Sequence, residues 1–422
     1  MPRFEKLDGN INTDVLIIGG GIAGLLIAHK LKSRGIDNVV VEAKNICGGI
    51  TKNTTAKITS QHGLIYSKLL KSGGGDAVRM YFEANERAIS SYRELCKNID
   101  CDFEEKDAYV FMRDDLRALG NELNALDLIR AKAEFTKETS LPISVVGAIR
   151  FKNQAQFHPM KFAAAIAKDL KIYENTMVTQ VEGRVAKTAS GSITAKSIVI
   201  ATHFPFINRH GLYFIKMFQE RSYVTAIDGG KVDGMYVDGS GSGLSFRNYG
   251  ELLLIGGGSH RTGKKTSAWN DAESIAKSFY PSAKAVYKWA NQDCVTLDGI
   301  PYIGNYSKST PHMYVATGFN KWGMTSAMVA ADIIADAICG KENKYADIFS
   351  PSRSIFTKQL AINTFETTTN LLRLSTPRCP HLGCALKWNK AEKSWDCPCH
   401  GSRFTESGKL IDNPATKGLK KS

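Results

Sequence analysis

The chain contains no run of about 18 uncharged apolar residues, which predicts that it has no transmembrane helix. Residues 1–14 also lack the apolar stretch of a secretory signal. Hydrophobic residues nevertheless make up 43% of the 422 residues, which is enough for a buried core. At this length we expect about two to three domains, and we expect a soluble, cytoplasmic protein.

The sequence has no basic run interleaved with aromatic residues, and this absence argues against nucleic-acid binding. The net charge is nevertheless +14, with 55 Lys and Arg against 41 Asp and Glu. Because the lysines are dispersed along the chain, a solvated basic surface explains the excess. An acidic electron-transfer partner is the functional alternative.

The cysteines do not form the framework of a secreted, disulfide-rich protein. Five of the nine are scattered singly, which favours a reducing compartment: Cys47, Cys96, Cys101, Cys294 and Cys339. The other four lie in two blocks near the C-terminus, CPHLGC from Cys379 and CPCHGS from Cys397.

Each C-terminal block supplies one thiolate and one imidazole, from Cys379 and His381 and from Cys397 and His400. A Rieske 2Fe–2S centre needs this set, with two cysteines on one iron and two histidines on the other. A zinc site takes the same ligand types, but zinc ligands more often come in pairs of one type. The mixed blocks therefore favour the 2Fe–2S centre.

The two blocks resemble the Rieske family, in the form found in respiratory and photosynthetic cytochrome complexes. The resemblance implies a ligand set and a disulfide between the two loops. The ligands are Cys379, His381, Cys397 and His400, and the disulfide joins Cys384 to Cys399.

One position departs from the family pattern. The family often carries a tyrosine, bonded to a ligand sulfur, where this chain has Phe404, whereas Ser402 is kept and can donate to a bridging sulfide. Hydrogen bonds to cluster sulfurs raise the reduction potential. We therefore expect a potential below that of the respiratory type.

A dinucleotide-binding pattern lies at the other end of the chain. The pattern predicts a buried strand at 13–18, a helix at 22–34 and a second strand at 38–42, with GGGIAG joining the first two. This order of strand, glycine turn, helix and strand predicts a nucleotide site, although it leaves NAD and FAD open.

The glycines of this turn have separate roles. Gly19 allows the tight turn, Gly21 lets the backbone approach a pyrophosphate, and Gly24 lets the helix pack closely on the strand. The pyrophosphate then lies at a helix N-terminus. Glu42, at the end of the second strand, can accept both ribose hydroxyls.

Three later segments decide between the nucleotides. Residues 48–57, 298–304 and 314–325 resemble flavin-contacting motifs of the D-amino-acid oxidase superfamily, which includes glycine oxidase and sarcosine oxidase. The resemblance covers about residues 11–345 and implies FAD. It implies further contacts from Thr51, Thr55, Val178, Thr202, Gly304, Gly318, Trp322, Gly323, Met324 and Thr325.

The two resemblances together match bacterial flavin oxidoreductases that carry a fused Rieske domain. The expected fold is α/β: an FAD-binding Rossmann-like domain of the glutathione-reductase type with an interrupting α+β substrate domain, then a small all-β Rieske domain. We expect nucleotide-binding parts at 11–65, 150–202 and 291–345, substrate-domain parts at 66–149 and 203–290, a linker at 346–376, and the Rieske domain at 377–422.

Secondary structure outside the motifs is less sharply defined. Strands are expected within 102–112, 172–178, 197–202 and 221–255, and a charged helix at 118–139. Residues 350–377 are too few for the basal sheet of a Rieske domain, and 355–374 reads as a helix as readily as strands.

Four residues are predicted to act in the substrate pocket: Lys57, Tyr223, Arg247 and Trp322. A carboxylate substrate suits the bidentate guanidinium of Arg247, although an ion pair at the surface or between domains is an equal alternative. His62 is expected to be a satisfied buried histidine, and His260 a turn or pocket residue. No general base is evident, which hydride transfer from a neutral amine to flavin does not require.

These features predict an FAD-dependent dehydrogenase. A small amine or amino acid reduces the flavin, and the Rieske centre passes the electrons singly to an external acceptor. Two alternatives stay open. Electrons flow from the cluster to FAD for a reduction, or the protein is a non-catalytic redox sensor or electron carrier.

Overall fold

The computed structural model describes residues 1–264, 268–354, 357–373 and 377–420. In chain order, the strands of the first half are β1 (Ile11–Ile18), β2 (Asn38–Val41), β3 (Lys57–Ile58), β4 (Glu104–Met112), β5 (Ala133–Thr136), β6 (Gly147–Gln156), β7 (Ile172–Tyr173), β8 (Gln180–Glu182), β9 (Val185–Thr188) and β10 (Gly191–Ile200). Those of the second half are β11 (Met217–Asp228), β12 (Met235–Asp238), β13 (Ser245–Tyr249), β14 (Leu252–Arg261), β15 (Lys284–Thr296), β16 (Tyr302–Asn305), β17 (Met313–Thr317), β18 (Lys387–Asn389), β19 (Ser394–Asp396), β20 (Arg403–Thr405) and β21 (Leu410–Asp412).

The helices are α1 (Ile22–Ser33), α2 (Ile50–Asn53), α3 (Ile65–Cys96), α4 (Leu116–Leu128), α5 (Pro159–Ala167), α6 (Tyr213–Lys216), α7 (Ala268–Phe279), α8 (Gly323–Ile338), α9 (Ala346–Phe349) and α10 (Lys358–Leu372). Within the described ranges, none is long and apolar enough to cross a bilayer.

The nucleotide-binding sheet has the strand order β16-β17-β10-β1-β2-β7, with β9 also paired to β10 and β8 paired to β9. Strand β1 lies between β2 and β10 and is parallel to both. Its apolar side chains alternate between two cores: Val15 and Ile17 pack with α1 and α8, whereas Leu16 and Ile18 pack on the opposite face. The carboxyl end of β1 therefore opens into the glycine turn between two covered faces of the sheet.

A second sheet has the order β15-β11-β14-β13-β12-β4-β6-β3, with β5 paired to β6. Its neighbours are antiparallel except for β12 and β4, which are parallel. Two of the predicted pocket residues lie on strands of this sheet, Lys57 on β3 and Arg247 on β13.

The third sheet, β18-β19-β20-β21, is small and antiparallel. The first cysteine–histidine block, residues 379–384, precedes β18, and the second, residues 397–402, connects β19 to β20; we call these two segments the cluster loops. Its core consists of four cysteines with Leu386, Phe404 and Ala415. The predicted α/β architecture with a small β domain is confirmed.

The motif-based elements also agree, since β1, α1 and β2 form within a few residues of their predicted bounds. The helix predicted at 118–139 is wrong beyond Leu128, because Ala133–Thr136 pairs with β6 as a strand. The strand predicted at 172–178 ends at Tyr173, because Asn175 has a φ of +51° and leaves the extended conformation.

The predicted linker contains two helices, α9 and α10, in its described part. Of the two readings of 355–374, a helix forms over Lys358–Leu372, and residues 355, 356 and 374 lie outside the described ranges. Thr357 caps it, since its Oγ1 accepts from the amide of Leu360 at 3.2 Å.

Candidate functional site: two cofactor sites that share an interface

The turn after β1 has little space for side chains. Gly19 has a φ of +114°, and a Cβ there would lie 2.4 Å from the carbonyl oxygen of Ala201. A Cβ on Gly24 would lie 1.9 Å from the carbonyl oxygen of Gly19. A Cβ on Gly21, in contrast, would meet only the hydroxyl of Thr51, at 3.5 Å. Packing requires the outer two glycines, and Gly21 leaves an open cradle that fits a pyrophosphate at the start of α1.

Thr51 and Glu42 fix this cradle from two sides. The hydroxyl of Thr51 accepts from the amide of Ile22 at 3.1 Å. The carboxylate of Glu42 accepts from the amides of Gly20 and Lys44, each at 2.9 Å. Burial raises the pKa of Glu42. Each carboxylate oxygen keeps a second lone pair, so the expected ribose contact stays a prediction that this geometry permits.

The other predicted flavin contacts lie in or near β7, β10, β16 and β17 and at the start of α8. Val178 is buried after β7, and Thr202 is the second residue after β10. Gly304 and Gly318 have φ values of +129° and +70°. The residues that open α8 follow, with Trp322 at its N-cap and Gly323, Met324 and Thr325 in its first turn.

His62 is bonded at both ring nitrogens. Its Nδ1 lies 2.7 Å from the Tyr81 hydroxyl, and its Nε2 lies 3.0 Å from that of Thr325. The ring also stacks on Trp322, with centroids 4.8 Å apart and planes 17° apart. Burial lowers the pKa of His62 to about 3, so the ring is neutral and positions Trp322 rather than carrying charge.

Arg247 lies on β13 with only 3% of its surface exposed. Its Nε and Nη1 have no hydrogen-bond partner among the described residues, and burial lowers its pKa to about 10. An ion pair of Arg247 at a surface or between domains, the alternative left open above, does not occur among the described residues. A buried guanidinium with free donors is suited to an anionic ligand.

Lys57 lies within electrostatic range of Arg247, although β3 and β13 are not neighbours in the sheet. Burial, and then the charge of Arg247, lower the pKa of Lys57 to about 7. Its Nζ lies 3.2 Å from the Thr55 hydroxyl, and its strand pairs Lys57 with Gln156. Gln156 donates to the carbonyl of Asn248 at 3.1 Å, which connects β6 to β13. Two cationic side chains thus influence each other beside the predicted flavin loop, and Nε and Nη1 of Arg247 have no hydrogen-bond partner in the described part of the chain.

Tyr223 lies elsewhere on the second sheet. Its hydroxyl donates to Oε1 of Glu392 at 2.7 Å, in the turn between β18 and β19, and its ring stacks on His260 with centroids 5.8 Å apart. The predicted pocket role of Tyr223 is therefore not supported by its contacts, because its hydroxyl is engaged by the C-terminal sheet. His260 Nδ1 lies 2.9 Å from the carbonyl oxygen of Gly258, within the same strand.

The cluster loops bring sulfur and nitrogen donors together. The ligand atoms of Cys384, Cys397, Cys399 and His400 lie within 4.8 Å of one another. The thiols of Cys379 and Cys397 are in hydrogen-bond contact. The rings of His381 and His400 have centroids 4.9 Å apart.

The histidine ring nitrogens that lack hydrogen-bond partners show whether a cluster fits this site. Nδ1 of His381 and both ring nitrogens of His400 are buried and have no hydrogen-bond partner among the described residues. Burial lowers the pKa of His381 to about 3, so its ring is in the neutral form that binds metal. Two imidazoles, each with at least one ring nitrogen that has no hydrogen-bond partner among the described residues, lie beside grouped thiols and fit the ligand set of a Rieske cluster.

The predicted disulfide between Cys384 and Cys399 is wrong for this structure, in which both cysteines are free. Their thiols contact each other, but each also contacts Cys397. Three thiols therefore share one buried group of contacts instead of two forming an exclusive pair.

Both predicted histidine ligands lie beside the segment 202–208, which follows β10 of the nucleotide-binding sheet. Nε2 of His381 lies 3.0 Å from Oδ1 of Asn208. The ring of Phe204 lies 6.4 Å from that of His381 and 6.2 Å from that of His400. Asn413, after β21, donates to the carbonyls of Thr202 and Phe204 at 2.6 and 2.9 Å. Ala201, which directly precedes this segment, packs against Gly19 of the nucleotide turn. The segment that contacts the two histidines therefore begins next to the nucleotide turn.

A buried ionic contact holds the two domains together. Arg221 on β11 binds both carboxylate oxygens of Glu392, with Nε 3.0 Å from Oε1, and both side chains are at most 10% exposed. Arg403 completes the group, 2.8 Å from Glu392 and 3.0 Å from Asp396. Such pairs are costly to break one partner at a time, so this contact fixes the orientation of the domains.

Three more side chains bind the backbone of the second cluster loop. Gln219 donates to the carbonyl of His400 at 2.7 Å, and Gln292 to that of Gly401 at 2.8 Å. Arg261 donates to the carbonyls of Pro398 and Cys399, each at 3.0 Å. Sequence reasoning missed these residues and Asn208, because no motif marks them and only the folded chain brings them to the loop.

Comparisons with known proteins agree with this geometry. A family model described as FAD dependent oxidoreductase matches residues 14–337, and one described as Rieske [2Fe-2S] domain matches 350–422. YhfW of Bacillus subtilis (strain 168), by its name a Rieske 2Fe-2S iron-sulfur protein, is 34% identical over all of this chain and 95% of its own.

Two further relatives match the flavin part. Gamma-glutamylputrescine oxidoreductase of Escherichia coli (strain K12) is 25% identical over 81% of this chain and 87% of its own. Glycine oxidase from Geobacillus kaustophilus has the same fold, with a TM-score of 0.68 at 20% identity over 82% of this chain and 99% of its own. The chain thus binds FAD and a 2Fe–2S cluster, and it belongs to the FAD dependent oxidoreductase family of the D-amino-acid oxidase type, with a Rieske domain at its C-terminal end.

Proposed function

We propose that this protein is a dehydrogenase that oxidises a small, carboxylate-bearing amine or amino acid at its FAD site and delivers the electrons through the Rieske centre to an external acceptor. One observation carries the proposal. Both predicted histidine ligands face residues 202–208, which adjoin the nucleotide turn. A cluster docked in this way is suited to electron exchange inside the molecule.

The pocket supports the substrate class. The free donors of Arg247 suit a carboxylate, and the relatives act, by their names, on an amine and on an amino acid. Lys57, with a pKa of about 7, is partly neutral at physiological pH and so limits the repulsion of a cationic substrate amine. It can also hold the proton that an ammonium substrate must lose.

When bound, FAD would supply a hydride acceptor for the substrate, and the 2Fe–2S cluster would supply one-electron transfer. The chain supplies binding and orientation around them. Arg247 orients the carboxylate, and His62 holds the ring of Trp322 beside the opening of α8. Asn208 orients the imidazole of His381 through its Nε2, which leaves Nδ1 for iron.

Anaerobic addition of an amine and amino-acid panel to the holoprotein tests the proposal. We expect at least one substrate to bleach the flavin absorbance, and the EPR signal of a reduced Rieske centre to appear in the same sample. Flavin bleaching without that signal would contradict the coupling. A cluster that reduces the flavin when a strong external reductant is supplied, with no substrate active, would favour the reverse electron flow.

We also propose that the cluster has a lower potential than the respiratory type. Phe404 is fully buried and packs with the cluster-loop cysteines, so it offers no hydroxyl to a ligand sulfur. In a redox titration followed by EPR, Phe404→Tyr should raise the potential relative to wild type. An unchanged potential in a folded variant with full iron content would show that position 404 does not tune the cluster.

A further inference from the structure

An open pocket of about 380 Å³ lies at the C-terminal end of α3, among residues that belong to neither cofactor site. Its lining includes Cys96, the last residue of α3, and Cys101, which precedes β4. Both cysteines were expected to be isolated, and that expectation is wrong. Their Sγ atoms lie 3.5 Å apart, in hydrogen-bond contact.

The pair is arranged for a reaction between the two sulfurs. Both thiols are free and buried, with 9% and 1% of the residue surface exposed, and both line the pocket. A disulfide has a sulfur–sulfur distance of about 2.05 Å, so closure needs a movement of about 1.5 Å.

The intervening turn can supply that movement. Residues 97–99 close α3 through three i→i+3 hydrogen bonds, and these are long, at 3.3 to 3.4 Å. Cys101 itself is held more firmly, because its carbonyl accepts from the amide of His158 at 2.7 Å. We therefore expect Cys96 and the turn to move towards Cys101.

The two thiols are also chemically unequal. The hydrogen bond with Cys96 lowers the pKa of Cys101, whereas the same contact raises the pKa of Cys96. Because the thiolate is the nucleophile in such reactions, we assign the attack to Cys101 and the resolving role to Cys96.

We propose that Cys96 and Cys101 form a reversible dithiol–disulfide site that hydrogen peroxide oxidises through the pocket. The Cys101 sulfur attacks one peroxide oxygen, which gives a sulfenic acid and, after proton transfer, one water. The Cys96 sulfur then attacks the Cys101 sulfur, so that the disulfide forms and the second water leaves. Two thiols and one peroxide yield one disulfide and two waters, and a thiol reductant restores the pair.

The sequence makes the test direct, because Lys97 lies between the two cysteines. Trypsin cleaves there and separates ELCK from NIDCDFEEK, so only a disulfide keeps these peptides joined. The holoprotein is treated with hydrogen peroxide, its remaining thiols are alkylated under denaturing conditions, and the digest is analysed by mass spectrometry. We expect the joined peptide pair after peroxide, and two separate alkylated peptides after dithiothreitol.

One variant and one internal control make the test more specific. In Cys96→Ser, the sulfenic acid on Cys101 has no resolving thiol, so dimedone should label NIDCDFEEK. Cys339, a more exposed cysteine in contact with no other thiol in the described structure, is the internal control. If peroxide oxidises Cys339 in the wild type while ELCK and NIDCDFEEK both stay fully alkylated, the proposal is overturned.

Discussion

Arg247 shows how a single buried charge indicates a ligand. A guanidinium removed from water normally has partners, and the free Nε and Nη1 of Arg247 point to an anion that completes the site. We expect Arg247→Met to lower kcat/KM for the amino acid that reduces the flavin by about 10- to 150-fold, since a hydrogen bond to a charged group contributes about 1.5–3 kcal/mol.

Arg150→Met is the matched control for that change. Arg150 lies on the same sheet but is partly exposed and paired with Asp107. The control should leave kcat/KM within about twofold, because exposed pairs contribute little. Equal losses in the two variants, measured by anaerobic stopped-flow flavin reduction, would exclude a specific role for Arg247.

Lys57 should titrate near neutral pH. Its pKa of about 7 lies below the usual value of about 10.4 for lysine. The folded protein then binds fewer protons than the unfolded chain between these values, so the contribution of Lys57 to stability rises with pH across that window. NMR titration of ¹³C-methylated lysines, with Lys57→Met for assignment, should show a midpoint near 7.

Arg247 supplies part of this shift, after burial. Replacing it by methionine should move the Lys57 midpoint upwards, because a neighbouring positive charge is removed. A midpoint near 10.4 in the wild type would mean that the ammonium is solvated and remains fully charged at neutral pH.

At the scale of elements, the turn between β1 and α1 separates packing from binding. A Cβ at Gly24 overlaps the carbonyl oxygen of Gly19, whereas one at Gly21 meets nothing closer than 3.5 Å. Gly24→Ala should therefore displace α1 and abolish folding or flavin incorporation. Gly21→Ala should keep the fold by circular dichroism but lower the flavin content, measured as absorbance per polypeptide. Full flavin content in Gly21→Ala would show that the pyrophosphate does not use this cradle.

Elements differed in how well the sequence predicted them. The β1–α1–β2 unit follows local rules, with an apolar strand, a glycine turn and a helix that ends before Gly35 at a φ of +73°. Strand β5 does not follow such local rules. Ala133–Thr136 continues a charged stretch typical of a helix and forms a strand by pairing with β6. The sequence left α10 undecided between a helix and strands for the same reason. Tertiary contacts determine the structure of short segments whose local preference is ambiguous.

At the scale of the whole molecule, the contact between Arg221 and Glu392 determines how the cluster meets the flavin domain. Glu392→Gln leaves the buried guanidinium without its counter-charge, which typically costs about 3–5 kcal/mol. We expect slower cluster reduction after substrate addition, with an unchanged rate of flavin bleaching, in stopped-flow absorbance and freeze-quench EPR.

Glu406→Gln is the control for this variant, because Glu406 is an exposed carboxylate in the same domain. It should leave both rates unchanged. The cluster potential in Glu392→Gln must match wild type for the comparison to report docking. If cluster reduction keeps its wild-type rate in Glu392→Gln, the ionic contact is not needed for electron transfer.

The sequence by itself determined the chemistry, because cofactor motifs are local. The glycine turn and the two cysteine–histidine blocks each depend on a few neighbouring residues whose spacing is the signal. Tertiary structure decided how these parts act together. Asn208, Gln219 and Arg221 contact residues of the C-terminal domain, among them Glu392, that lie more than 170 positions further along the chain. The free thiols of Cys384 and Cys399 and the contact between Cys96 and Cys101 likewise depend on distances between side chains, which spacing along the chain does not encode.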